Sequence, residues 1–363
     1  MKILYFGSTT QIHSGACQWM FRMANRMRDF GHETVAILPN EEGIAEWYSD
    51  YDIETKVAWS EPLRRRRSLL GQVWFLLASV VATVKLAIYI RRNHVDLVHV
   101  NEIRYPYALV AAKLGGAKVV IHVRASYDSE VVRRLLSTFT EYVADRVICV
   151  SSRTKEIMFE SLSIDSETVS VLHDGLPSPE RLDEVPADPT FREELGISDD
   201  QTLVLNVSKF VESKGQDRVV NTAAHLSECH GDVQFALVGG VVEGHRSYAA
   251  DIREQVDSLD NVYVVGFHED VMSAVAASDV LIHIPRNEDP FPNVVLEGMM
   301  AGKPVVGSRS GGIPEQITDG ETGFLVPKHD ATKEIAETIA QLSESSSMRE
   351  RIGSAARESV FEE

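Results

Sequence analysis

Cysteine is scarce: Cys17, Cys149 and Cys229 are the only three in 363 residues, odd in number, far apart and without a CxxC pair. Neither a disulfide framework nor a thiolate zinc site fits that usage, whereas a reducing compartment does. An excess of basic residues is also missing. Lys and Arg number 36 against 54 Asp and Glu, a formal charge of −18, and this excludes a general nucleic-acid binder, because phosphate backbones are gripped by clustered cations. Neither a GxGxxG fingerprint nor a GxxxxGK[ST] loop occurs, so nicotinamide and P-loop readings lose their main support. The apolar opening Met1 to Gly7 is too short for a signal peptide, so the expectation is a cytoplasmic protein in which the sequon Asn206-Val207-Ser208 is accidental.

What is present is a soluble, folded composition: 44% hydrophobic and 25% charged residues, with 23 Gly and 13 Pro. The length exceeds one compact core and fits two domains. Charge divides the same way. Residues 1–180 hold 21 Lys and Arg against 21 acids, and residues 181–363 hold 15 against 33. Short apolar, β-branched runs alternate with helix-patterned stretches, the sign of βαβ units around parallel sheets. The strand candidates are 2–6, 33–38, 95–100, 117–123, 146–150 and 168–172 in the first half. In the second they are 202–207, 233–238, 262–265, 279–284, 304–307 and 323–326. Each half reads as a doubly wound α/β domain. Breakers from Asp174-Gly175-Leu176-Pro177-Ser178-Pro179 through Pro186 and Pro189 place the boundary between 175 and 200. The expected division is a first domain over 1–179, a linker over 180–200, a second domain over 201–345 and a C-terminal helix over 346–363, whose return to the first domain is left open. Two open sheets joined so would face each other across a cleft at their carboxyl ends.

The segment Asp289-Pro290-Phe291-Pro292-Asn293-Val294-Val295-Leu296-Glu297-Gly298 follows the strand candidate 279–284. Glu288 and Asp289 then lie on a strand-to-helix loop, and Glu297 falls about two turns into the next helix. A helix start near Pro292 favours phosphate, and a carboxylate at Glu297 can accept both hydroxyls of a ribose. Taken singly, these acids also read as a solvated loop and a helix-surface glutamate. Lys209 and Lys214, in Ser208-Lys209-Phe210-Val211-Glu212-Ser213-Lys214-Gly215, sit after the first strand of the second domain, where a dianionic ligand in an acidic half needs local cations. Exposed loop lysines are the alternative. Gly239-Gly240 and Gly311-Gly312-Ile313-Pro314-Glu315 end further strands, either presenting N–H groups to an anion or simply turning the chain.

In this order the segments resemble the retaining GT-B glycosyltransferases of sequence family four, the glycosyl transferases group 1, over nearly the whole chain and most strongly from 202 to 327. The run from Asp289 is similar to that family's EX7E region, the run from Ser208 to its diphosphate loop, and Gly311 to Glu315 to its donor-side glycine turn. The resemblance implies an α/β GT-B fold of two Rossmann-like domains, acceptor side first and donor side second. It implies that Glu297 binds the donor ribose, that Lys209 and Lys214 neutralise the diphosphate, and that Gly239, Gly240, Gly312 and the run Pro290 to Val294 line the donor site. The first acid of EX7E faces the donor sugar; here Asp289 stands in that position with Glu288 one residue before it, and the choice between them is open. His122, in Ile121-His122-Val123-Arg124, matches the histidine that reaches the transferred sugar. Gly15, in Ser14-Gly15-Ala16, stands where the family has a Gly-Gly turn, and His173-Asp174-Gly175 replaces an Asn-Gly hinge.

The expected reaction moves a sugar from a UDP- or GDP-linked donor to a hydroxyl acceptor with retention, without metal or cofactor, lysines and helix dipoles supplying the charge balance. The DxD-like Asp50-Tyr51-Asp52 is taken as surface charge. Alternatives are a nucleotide-sugar epimerase or phosphorylase on the same scaffold, or an inactive adaptor. The stretch Leu69 to Ile90, flanked by Arg64-Arg65-Arg66-Arg67 and Arg91-Arg92, reads first as a buried helix of the first domain. Its second reading is an in-plane helix on an anionic membrane through 64–92, with a peripheral place on the inner membrane face and a lipid-linked or cell-envelope glycan acceptor, and its third is a true span, against which Gln72 and Lys85 count because they break the apolar run.

Overall fold

Residues 1–7, 15–38, 48, 51, 53–58, 69–103, 105–125, 127, 129–160, 167–176, 189–227, 229–329 and 331–362 are described by the computed structural model of the chain. They form two compact units, Met1–Asp174 and Gly175–Glu363. The first unit holds β1 (Lys2–Phe6), β2 (Glu33–Leu38), β3 (Glu54–Val57), β4 (Leu97–Asn101), β5 (Lys118–Val123), β6 (Arg146–Cys149) and β7 (Val169–Val171). They make one sheet in the order β3-β2-β1-β4-β5-β6-β7, every neighbouring pair parallel. The second unit repeats the plan with β8 (Thr202–Val207), β9 (Val233–Val238), β10 (Val262–Gly266), β11 (Val280–His283), β12 (Val305–Ser308) and β13 (Phe324–Val326), ordered β10-β9-β8-β11-β12-β13 and again all parallel.

Each strand candidate of the sequence corresponds to one of these strands, with ends within two residues. β3 is the addition. Its sequence Glu-Thr-Lys-Val lacks an apolar run because it is an edge strand, partly exposed along its length. Both faces of each sheet carry apolar clusters, which is why the inner strands read as continuous hydrophobic runs.

The strand order reverses between β1 and β4 in one unit and between β8 and β11 in the other. Chains leaving adjacent strands at such a point diverge to opposite faces and open a crevice at the carboxyl ends. Those ends carry most of the residues singled out above.

Two placements differ from expectation, and a third, left open by the sequence, is decided. The helix Leu69–Arg92 is not a buried core helix. Ala82, Leu86 and Ile90 enter the core, but most of the opposite side is open to solvent, because one helix packed on one sheet face can bury only one stripe. Within the expected linker, residues 180–188 lie outside the described set, while Pro189–Glu194 forms a helix whose Phe191 is buried in the second unit. The C-terminal helix Ser346–Glu362 packs within the second unit, with Gly353 against the backbone of Gly302, where an added Cβ would come within 1.9 Å of a carbonyl oxygen. Ser14, Asp50, Asp52 and the four arginines 64–67 lie outside the described residues.

Candidate active site

β8 and β11 are neighbours, in register through Val280 with Val204 and Leu281 with Leu205, so the loops that follow them meet. After β8 the chain runs through Ser208 and Lys209 into a single 3-10 turn, Glu212–Lys214, and ends it with Gly215 at φ 72. A Cβ on Gly215 would sit 2.6 Å from the Ile284 carbonyl oxygen, so only glycine lets this loop close on the end of β11. The backbone N–H groups of Arg286 and Asn287 donate to the Ser213 carbonyl, and Gln216 Nε2 donates to Ser208 Oγ at 2.8 Å and to the Lys209 carbonyl at 2.7 Å. The lysine loop is thus tied at both ends.

These ties bring Lys214 to Asp289. Lys214 Nζ donates to Asp289 Oδ2 at 2.5 Å, and His283 Nε2 donates to the same oxygen at 2.8 Å. Burial works to raise the Asp289 pKa, but the Lys214 charge and the His283 hydrogen bond outweigh it and hold the carboxyl well below the usual aspartate range. His283, buried at the end of β11, is pushed down by desolvation more than Asp289 lifts it, so it is neutral at neutral pH. Its proton sits on Nε2, since a carboxylate only accepts. The bonds from Lys214 and His283 both go to Oδ2, and Asp289 Oδ1 makes no hydrogen bond among the described residues.

Glu288 does a different job from Asp289. One of its oxygens accepts from the Gly311 N–H and the other from Lys328 Nζ at 2.9 Å. The glycine turn is therefore read differently here: the N–H of Gly311 goes to Glu288 and that of Gly312 to the Asp289 carbonyl at 2.9 Å, so both serve the protein rather than facing outward. Gly311, at φ 60, would place a Cβ 1.8 Å from the Asp289 carbonyl oxygen, and Gly312 would place one 2.1 Å from that of Pro290. These glycines seat the loop 288–291. Gly239 does the same for the lysine loop, with a Cβ only 1.9 Å from the Ser208 carbonyl oxygen, while the Gly240 carbonyl accepts from the Phe210 N–H. Glu288→Gln should keep one of its two partners and lose the other; the lost charge-assisted bond costs about 1.5–3 kcal/mol, readable as a lower denaturant midpoint with donor binding only weakened.

Pro292 precedes the helix Asn293–Met300, its carbonyl held by Gln316 Nε2, and Phe291 is buried beside Gly312. Asn293 and Val294 are half-buried at the first turn, and Glu297, also half-buried, stands one turn further on. Lys209 is exposed on the loop, yet partial desolvation of its ammonium, and then the charge of Lys214, hold it below the ordinary lysine value. A bound dianion would restore it. Affinity for a nucleoside diphosphate should therefore be full at neutral pH and fall as pH rises through the lowered Lys209 pKa, sooner than an ordinary lysine would cause, and Lys209→Arg should remove that early fall in a calorimetric titration.

In the first unit, side-chain alternation turns Val119, Ile121 and Val123 of β5 into one core cluster and His122 to the other face. There the His122 ring lies edge-on to Trp19, with centroids 4.3 Å apart, and 6.0 Å from His99. His122 is fully buried, and among the described residues neither ring nitrogen has a hydrogen-bond partner. Burial, then Arg124 and His99, keep its pKa well below the usual histidine range; burial and Arg124 lower His99 to about 3. Arg124 lies over the Trp19 ring at 5.2 Å and forms a two-pronged ion pair with the buried Asp174, donating from Nη1 to Oδ1 at 2.6 Å. The aspartate at the expected hinge is thus a counter-charge for Arg124. Gly15 begins the helix Gly15–Asp29 that carries Trp19. His122 and Gly15 belong to one unit, and Lys209, Lys214, Glu288, Asp289 and Glu297 to the other.

Sequence reasoning missed His283, Lys328, Trp19 and Arg124 as parts of these constellations. Two carried a signal: His283 is a lone polar residue closing an apolar strand, and Arg124 shares His122's face by the two-residue period. Among the described residues no group of three His, Cys, Asp or Glu is arranged to hold a metal ion.

Residues 187–359 match the family described as Glycosyl transferases group 1, and residues 13–178 match Glycosyltransferase Family 4. The chain is 33% identical over 176 residues to the N-acetyl-alpha-D-glucosaminyl L-malate synthase of Bacillus anthracis, covering 48% of this chain and 44% of that protein. It is 25% identical over 266 residues to the alpha-D-kanosaminyltransferase of Streptomyces kanamyceticus, 68% of this chain and 66% of that one. The match thus spans less than half the length of the first of these relatives. Anabaena Alr3699/HepE, solved with UDP-glucose, superposes with a TM-score of 0.83 at 22% identity over 100% of this chain and 95% of its own. WaaG, a glycosyltransferase of lipopolysaccharide biosynthesis, does so at 0.73 and 16% identity, over 99% and 95%. Likeness at that identity speaks to the fold, two Rossmann-like units of the GT-B class. With both halves of the sequence matched by glycosyltransferase family models, this chain belongs to the glycosyl transferases group 1.

Proposed function

We propose that this protein transfers a sugar from a nucleotide-sugar donor to a hydroxyl of a glycan or lipid-linked acceptor, with retention at the anomeric carbon and without a metal ion. The observation that carries the reading is the pair Lys209 and Lys214 on the loop after β8, with Lys214 bonded to an aspartate fixed from below by His283. Two adjacent ammonium groups are the charge complement of a diphosphate, and a carboxylate with one uncommitted oxygen beside them suits a sugar hydroxyl.

In this reading the diphosphate takes up the positive charge of Lys209 and Lys214 as the bond from C1 to the leaving phosphate oxygen stretches. The acceptor oxygen bonds to C1 on the same face, its proton passes to the departing phosphate, and no side chain forms a covalent intermediate. Lysines present before the reaction need no reorganisation when the charge develops, which is the source of the rate gain. Asp289 orients the sugar hydroxyls, with Glu288 the support for the glycine turn, and Glu297 holds the ribose. His122, neutral and with neither nitrogen bonded among the described residues, is assigned to the transferred sugar.

UDP-linked sugars are the first donors to test, since HepE was solved with UDP and with UDP-glucose. A panel of UDP- and GDP-sugars, each incubated with chelator and scored for nucleoside diphosphate release, should give turnover with one base and no loss on chelation. The anomeric proton coupling of the product reads retention. Donor consumption without diphosphate release, or dependence on inorganic phosphate, would replace transfer by epimerisation or phosphorolysis.

A further inference from the structure

The helix Leu69–Arg92 is apolar on all sides, yet only one stripe of it is used. Ala82, Leu86 and Ile90 pack into the first unit, where Gly115 approaches so closely that a Cβ on it would lie 2.5 Å from Ile90 Cγ2. On the opposite side Trp74, Leu77, Val80, Val81, Val84 and Ile88 are 47–72% exposed. Their spacing follows the three-and-four alternation of a helix, so they form one continuous stripe along it. A contiguous patch of that size marks an interaction surface rather than scattered exposure. On the same side of the sheet the helix Glu130–Val143 also leaves Val131, Leu135 and Tyr142 exposed.

Charge tells what covers it. In a chain of net charge −18, residues 62–95 contain no Asp or Glu and seven cations: Arg64 to Arg67, Lys85, Arg91 and Arg92. Lys85, Arg91 and Arg92 are exposed at the flank and end of the apolar stripe. An apolar stripe bordered by cations and free of acids is the complement of an anionic lipid surface: the apolar side chains enter the acyl boundary and the cations meet the headgroups. A soluble acidic protein partner would be met by cations without needing the apolar stripe.

We infer that the stripe Trp74 to Ile88 is a membrane-docking surface by which the first unit lies on a bilayer rich in anionic lipid. The helix lies in the plane of the interface. Although 19 residues, Trp74–Arg92, are long and apolar enough to cross a bilayer, crossing would strip Ala82, Leu86 and Ile90 from the core they complete. The cytoplasmic leaflet, with its negative surface potential, is the surface that fits. The inference is independent of the transfer reaction, because it is read without turnover.

The test is flotation of the full chain with vesicles of phosphatidylcholine alone and of phosphatidylcholine with phosphatidylglycerol, together with quenching of tryptophan fluorescence by acyl-brominated lipid. Binding is expected only with phosphatidylglycerol, weakened by high salt, with a quenched signal that Trp74→Phe removes. Leu77→Gln combined with Val81→Gln should weaken binding on the order of a hundredfold. Arg91→Gln and Arg92→Gln should each weaken it roughly fivefold. Both sets should leave the circular-dichroism spectrum and the thermal unfolding transition of the chain unchanged, which shows that the first unit, where they lie, still folds. Protein that stays in solution with every vesicle overturns the inference, as does equal binding to neutral vesicles or binding unchanged in the variants. A concentration-dependent dimer that shields Trp74 without lipid also overturns it, by giving the stripe to a second copy.

Discussion

Lys214→Ala should lower kcat/KM for the donor by roughly two to three orders of magnitude, the loss typical when one preorganised group facing developing charge is removed. The leaving diphosphate gains charge as its bond to C1 breaks, so the fall should appear more in kcat than in donor affinity. The same substitution removes the main counter-charge of Asp289, which is largely buried against the fully buried His283. A carboxylate with a depressed folded pKa adds stability that is present above its ordinary value and is lost as pH falls through the folded one. Without Lys214 the folded pKa of Asp289 rises, so acid unfolding should begin at a higher pH than in the unaltered protein. Steady-state diphosphate release under saturating donor checks the first effect, and unfolding midpoints across an acid pH series check the second. Unchanged turnover would remove Lys214 from the phosphate role.

Asp174→Ala should cost the first unit about 3–5 kcal/mol, since it leaves the Arg124 guanidinium buried without its partner. For a unit of this size the loss lowers the thermal midpoint on the order of 10 °C. The aspartate is fully buried and the arginine nearly so, and solvent therefore screens little of the interaction. Arg124 also fixes the Trp19 ring on which His122 rests, so what turnover survives should show a raised donor KM. Replacing Arg124 and Asp174 together by apolar residues should recover much of the stability but not the KM, which separates holding the fold from holding the histidine. A midpoint unmoved in Asp174→Ala would show that the pair is not closed in solution.

Residues whose roles follow from local chemistry were legible in the chain itself. Asp289 and Glu297 eight residues apart after an apolar strand, and two lysines on a strand-end loop, are patterns of spacing, and the structure puts Lys214 and Asp289 in contact. The choice between Glu288 and Asp289 was not legible. Adjacent residues on a loop point in unrelated directions, and only the positions of Lys328, Gly311 and His283, from three separate segments, assign Glu288 to the glycine turn and Asp289 to Lys214. Gly311 and Gly312 show the same limit. From the sequence a glycine pair after a strand is open to either an anion or a turn, and the 1.8 Å approach to the Asp289 carbonyl, which forbids any side chain, is a distance between loops.

The helix Leu69–Arg92 marks the boundary of what composition can say. Its apolarity around the whole circumference follows from the residues alone, but burial depends on what packs against it, and the sheet covers one stripe. By itself the sequence determined the α/β class, the two halves, the strand positions and the segments that carry chemistry, because hydrophobic periodicity and breaker residues act over a few neighbours in the chain. Only the tertiary structure decided which side chains meet at the carboxyl ends of β8 and β11, which buried groups are paired, and which apolar face is left in water. Those outcomes depend on contacts between residues tens of positions apart, where hydrogen-bond geometry, desolvation and close backbone approach are set by the packing of the sheet.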